Sequence, residues 1–101
     1  MNKSEIKKKL LPFVSLYPIE RLGLFGSAAR GDMTSKSDVD LLIEMPREVS
    51  LFRFIELKQK IEEVLNRTVD LVEYGALKPK IKDKILQEQI VLYDKRTTDI
   101  H

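Results

Sequence analysis

The chain of 101 residues fits a single domain, residues 1–101 with a core over about 20–93, since domains commonly run to roughly 100–150 residues. It has no cysteine and one histidine, the final residue His101, which excludes disulfides, thiolate zinc sites, cysteine nucleophiles and multi-histidine metal centres. With 18 basic and 16 acidic residues the net charge is only +2, too balanced for charge alone to argue nucleic-acid binding.

Taken in chain order, Ser4 to about Val14 has helical spacing at Ile6, Leu10, Leu11 and Val14, with Pro12 placed to kink or stop the helix. No apolar run approaches the ~18 residues of a membrane helix. The basic, then apolar start is broken by Pro12 and followed by no small-residue cleavage site, so it is not read as a signal peptide. A cytoplasmic location is the default expectation. Ile19 to Phe25 suits a short strand ending at Gly26, and Ser27 to Arg30 a helical turn closed by Gly31. The polar stretch Asp32 to Ser37 is loop-like. Val39 to Met45 is strongly apolar and predicts a strand, ended by Pro46.

Ser50 suits the N-cap of the clearest helix, Leu51 to Asn66, whose apolar residues are Leu51, Phe54, Ile55, Leu57, Ile61, Val64 and Leu65. Thr68 to Tyr74 is β-branched and alternating, hence a strand. Lys78 to Glu88 is expected to be helical with Pro79 in its first turn, Ile90 to Tyr93 a last strand, and KRTTDIH a frayed tail. This order of elements implies an α/β domain, with helices packed on a small mixed β-sheet.

The chemistry sits at the strand starts. Asp38 and Asp40 are two apart, so on a strand both carboxylates face one way, with Cα atoms roughly 6.5–7 Å apart, while Val39 and Leu41 face a core. Carboxylates this close repel unless a cation lies between them, and a hard divalent ion held by one or two carboxylates plus substrate phosphates is the usual Mg²⁺ arrangement. Asp70, between the apolar Val69 and Leu71, offers the same geometry; if its strand lies beside the first, three carboxylates converge on one patch. Gly26 allows close backbone approach to a phosphate, and Ser27 adds a hydroxyl at a helix start.

The run GSAARGDMTSKSDVDLLI, residues 26–43, resembles the signature of the DNA-polymerase-β-like nucleotidyltransferases: Gly-Ser, ten residues, Asp-any-Asp, and a third Asp on a later strand. Gly26, Ser27, Asp38, Asp40 and Asp70 fill every place in it. The chain's size, GSAARGD and the VDLVEYGALKPKIKDKILQEQIVLYD ending look like the minimal nucleotidyltransferase (MNT) branch, and the resemblance spans about residues 20–93. It implies a polymerase-β-like fold and transfer of AMP from ATP to a tyrosine of a HEPN-type toxin partner, with two Mg²⁺ ions held by Asp38, Asp40 and Asp70, and with Asp70 as general base.

Other residues keep two readings. Arg30 is placed to meet a triphosphate or is a surface arginine; Ser37 orients Asp38 or serves a turn. Glu44 shares the face of Asp38 and Asp40 but lies beyond the site, and Lys78, Lys80, Lys82 and Lys84 are read as a solvated face. The acceptor is also open: a toxin tyrosine first, then a small molecule or an RNA end, then a non-catalytic toxin-binding role. Nucleic acid is disfavoured because no basic stripe carries stacking aromatics; Phe25 and Phe54 fall at core positions.

Overall fold

The computed structural model describes residues 1–98. Helix α1 (Lys3–Leu10) starts under Asn2, whose side chain accepts the Glu5 N–H at 2.9 Å. The helix stops short of Pro12, as expected of a residue with no N–H to continue the ladder, and Pro12 is the N-cap of a second, short helix α2 (Phe13–Leu16). Ile6 and Leu10 are buried, whereas Leu11 is exposed.

Four strands form one mixed sheet in the order β3-β2-β1-β4. Strand β1 (Arg21–Phe25) is the antiparallel neighbour of both β2 (Val39–Glu44) and β4 (Ile90–Asp94). Strand β3 (Val69–Glu73) runs parallel to β2, which requires a crossover of a dozen residues or more. Helix α4 (Leu51–Leu65) supplies it, capped by the Ser50 hydroxyl on the Arg53 N–H and closed by Asn66 in a left-handed conformation. Between β1 and β2 lies the five-residue helix α3 (Gly26–Arg30), ended by Gly31. After β3, a 3₁₀ turn (Tyr74–Ala76) leads to α5 (Pro79–Glu88).

Alternation along β2 sorts its side chains between two faces. Val39, Leu41 and Ile43 join Leu22, Leu24, Val69, Leu71 and Leu92 from the other strands, Ile6 and Leu10 from α1, and Leu57, Ile61 and Leu65 from α4 in one core. Asp40, Leu42 and Glu44 occupy the opposite face. The same face of β1 carries Gly23, over which Tyr74 and Gln89 cross so tightly that a Cβ would strike both. The Tyr74 hydroxyl donates to Gln89 Oε1 at 2.7 Å.

Other expectations need correction. The apolar positions of α4 cover more of its circumference than the sheet can bury, so Leu51, Ile55 and Val64 are 72%, 45% and 40% exposed. Phe54 is only partly buried against the core, and Phe25 is half-buried. The expected frayed tail begins with a helical turn, α6 (Lys95–Thr98). Asp94 caps it, accepting the Arg96 N–H at 3.0 Å through its carboxylate and the Thr97 hydroxyl at 2.9 Å through its carbonyl; the last three residues of the tail lie outside the described residues. Among the described residues no helix is long and apolar enough to cross a membrane.

Candidate active site

Three neighbouring chain segments meet at the end of the sheet where β1 finishes and β2 and β3 begin. Asp40 faces Phe25 across the antiparallel pair and Asp70 across the parallel pair. In-register residues of adjacent strands share a face, with strands about 4.8 Å apart, so Asp40 lies between the Phe25–Gly26 corner and Asp70. Asp38 stands one residue before β2 starts, and its charge acts on Asp40.

Gly26 makes this packing possible. Its φ is 67°, in the left-handed region, and the Asp40 carboxylate occupies the place a Cβ would take. A side chain at this position is therefore barred twice, by backbone conformation and by the carboxylate. The glycine that opens α3 thus holds its bare backbone against the central carboxylate.

Asp40 is half-buried, while Asp38 and Asp70 are exposed. Burial pushes the Asp40 carboxyl above its ordinary range; the charges of Asp70 and then Asp38 push it further, and Arg30 opposes them. The Asp40 carboxyl therefore feels the charges of both other carboxylates. They do not close on a single point, however: among the described residues no group of three such side chains forms a ready-made metal site. Mg²⁺ takes one or two carboxylates and completes its shell with water and substrate phosphates. Asp40 with its neighbours, all hard oxygen donors whose mutual repulsion a cation would relieve, fits that requirement.

Arg30 ends α3 and pairs with Asp32 at 3.3 Å, both side chains more than half exposed. Ser37 makes a turn: its hydroxyl accepts the Thr34 N–H at 2.9 Å and shares a 3.1 Å hydrogen bond with the Thr34 hydroxyl. Glu44 lies at the far end of β2, opposite Arg21, and pairs with Arg21 at 3.4 Å and Arg96 at 3.7 Å. Lys78, Lys80, Lys82 and Lys84 are exposed.

Sequence reasoning passed over Arg67. Its Nη1 donates to the carbonyls of Thr34 at 2.8 Å and Ser37 at 3.2 Å, joining the loop before Asp38 to the turn before Asp70. Nearby, the Val39 N–H donates to the Thr68 carbonyl at 3.0 Å and the Glu62 carboxylate accepts the Val69 N–H at 3.0 Å. The available signal was an arginine in the short turn leading to Asp70, three residues away.

The Nucleotidyltransferase domain family matches residues 5–92. This chain belongs to that family. The nucleotidyltransferase is 39% identical over 90 residues to a Methanocaldococcus jannaschii protein with the provisional name of protein adenylyltransferase, covering 89% of this chain and 97% of that one. It is 38% identical over 89 residues to the protein adenylyltransferase MntA of Thermococcus cleftensis, covering 88% and 83%. Among solved structures, a toxin–antitoxin complex with AMP-PNP matches this nucleotidyltransferase with a TM-score of 0.72 at 23% identity, over 98% of this chain and 78% of that one. A tri-AMPylated Shewanella oneidensis HEPN toxin in complex with MNT antitoxin gives a TM-score of 0.68 at 18% identity, over 95% and 76%. These two structures establish the fold, the small mixed sheet with flanking helices of the polymerase-β-like nucleotidyltransferases.

Proposed function

We propose that this nucleotidyltransferase is a protein adenylyltransferase that moves AMP from ATP to a tyrosine of a HEPN-type toxin, acting as the antitoxin of the pair. The observation that carries the chemistry is the seating of the Asp40 carboxylate between the Gly26 backbone and Asp70, with Asp38 beside it. The names of the relatives support protein as the acceptor. The complexes with HEPN toxin and with AMP-PNP among the structural neighbours support the partner and the nucleotide.

In this reading Asp38 and Asp40 would hold one Mg²⁺ ion, and Asp70 with the same pair would hold a second. When bound, the cations supply charge neutralisation at the attacking and leaving oxygens of an in-line displacement. Gly26 and Ser27 approach the phosphates with backbone N–H groups and a hydroxyl, since the first N–H groups of a helix lack intrahelical partners. Arg30 adds a positive charge beside them. The tyrosine oxygen attacks the α-phosphorus, the bond to pyrophosphate breaks, and the phenolic proton passes to the Asp70 carboxylate as general base.

Incubation with Mg²⁺, a HEPN-type partner and ATP labelled at the α-phosphate tests this reading. Label on the partner is the expected result. Label released only as free AMP, or found on RNA, would contradict it.

A further inference from the structure

We propose that Arg67 is a positioning residue of the carboxylate site, a strap that fixes Asp38 against the strands carrying Asp40 and Asp70. The inference rests on the reading of those carboxylates as the cation and nucleotide site. Asp38 follows a polar loop that runs from Gly31 without regular structure until Val39. At its start the Asp32 N–H bonds the Ser27 carbonyl at 3.1 Å; at its end the Ser37 N–H donates to the Thr34 carbonyl at 3.1 Å, and the Ser37 hydroxyl accepts the Thr34 N–H. These bonds shape the turn without attaching it to the sheet.

Arg67 makes the attachment. One nitrogen of its guanidinium reaches both the Thr34 and the Ser37 carbonyl, so the two ends of the turn are gripped from one point. The Ser37 carbonyl belongs to the peptide bond that leads into Asp38. Hydrogen bonds from a charged donor are stronger than neutral ones, and the half-buried position of Arg67 limits competition from water. Arg67 itself is fixed: its own N–H bonds the Glu62 carbonyl at 3.3 Å, and the next residues enter β3 towards Asp70. The strap therefore joins the peptide preceding one carboxylate to the turn preceding another. Supports of this kind, which touch neither metal nor substrate, set the geometry of the groups that do.

The sign of the effect separates this role from simple charge. Removing a positive charge near carboxylates favours cation binding, whereas releasing the loop that carries Asp38 weakens it. The test uses the full chain as wild type, Arg67→Ala and Arg67→Lys, with Mn²⁺ as the probe, its free ion followed by electron paramagnetic resonance. Hydrogen exchange at the amides of Ser37, Asp38 and Val39 is measured without metal. Arg67→Ala is expected to weaken Mn²⁺ binding about tenfold and to speed exchange at these amides. Arg67→Lys, which keeps a charged donor, is expected to fall between it and the wild type. Excess Mn²⁺ should return the AMP-transfer rate of Arg67→Ala to that of the wild type.

Mn²⁺ binding that is unchanged or tighter in Arg67→Ala, with unchanged exchange, would overturn the proposal. If that variant does not fold, Arg67→Lys decides by the same two readouts, and wild-type values in both overturn it. Failure of the wild type itself to bind Mn²⁺ would instead remove the cation-site reading on which the strap depends.

Discussion

Asp40 and Asp70 stand directly across from each other on adjacent parallel strands, and this pairing places like charges side by side where a core strand emerges. Nothing in the packing of the fold requires it. Val39, Leu41, Val69 and Leu71 fill the core on the other face, and uncharged residues would pair there without repulsion. Asp40→Asn should therefore leave the cation-free protein at least as resistant to heat as the wild type, while lowering AMP transfer on the order of a thousandfold, about 4 kcal/mol of transition-state stabilisation. A thermal melt and a transfer assay on the same preparation check both halves. Near-wild-type transfer would remove Asp40 from the site.

Gly26→Ala should be damaging for two reasons that add. A left-handed backbone costs a residue with a Cβ about 1–2 kcal/mol, and the new methyl group would occupy the place of the Asp40 carboxylate. Denaturant unfolding should show the loss of stability, and transfer should fall with it as Asp40 is displaced. A fully active, equally stable variant would mean that the corner between β1 and α3 is built differently.

Ser27 tests the phosphate end of the site. Ser27→Ala should weaken ATP binding by about 0.5–1.5 kcal/mol, the net worth of one hydrogen bond. Ser27→Asp should be far worse, because it sets a carboxylate against the triphosphate. Equal ATP affinity of wild type and Ser27→Asp by calorimetry would exclude Ser27 from phosphate binding.

Tyr74 separates stability from chemistry. It is 4% exposed and its hydroxyl bonds Gln89 above Gly23, so Tyr74→Phe leaves the Gln89 acceptor without that donor. The expected cost is about 1 kcal/mol of folding stability, with ATP binding unaltered. Chemical denaturation paired with an ATP titration measures this, and a change in nucleotide affinity would show that the two ends of the sheet face are coupled.

The parts of this protein that were legible in its sequence are those where one local rule decides. Alternation in the run DVDLLI and the apolar spacing at Leu57, Ile61 and Leu65 located the core, and the spacing of Gly26, Ser27, Asp38, Asp40 and Asp70 marked the candidate site. Less legible were features that depend on two distant segments. Nothing in the chain from Ser27 to Asp38 announces that Arg67 will grip its turn. Likewise, the sequence reads Gly26 as a glycine for close approach to a phosphate, and its contact with the Asp40 carboxylate exists only once β1 and β2 pair. The apolar excess on α4 misled for a related reason: periodicity marks which residues could face a core, whereas the width of the sheet sets how many do. The last helical turn was missed although Asp94 is a good capping residue, because the short run after it carries no apolar pattern.

The most direct test is peptide mass spectrometry of a HEPN-type partner incubated with this protein, ATP and Mg²⁺. AMP on a partner tyrosine, present with the wild type and absent with Asp38→Asn, is the predicted result. An unmodified partner, together with an RNA 3′ end that gains adenosine, would contradict it.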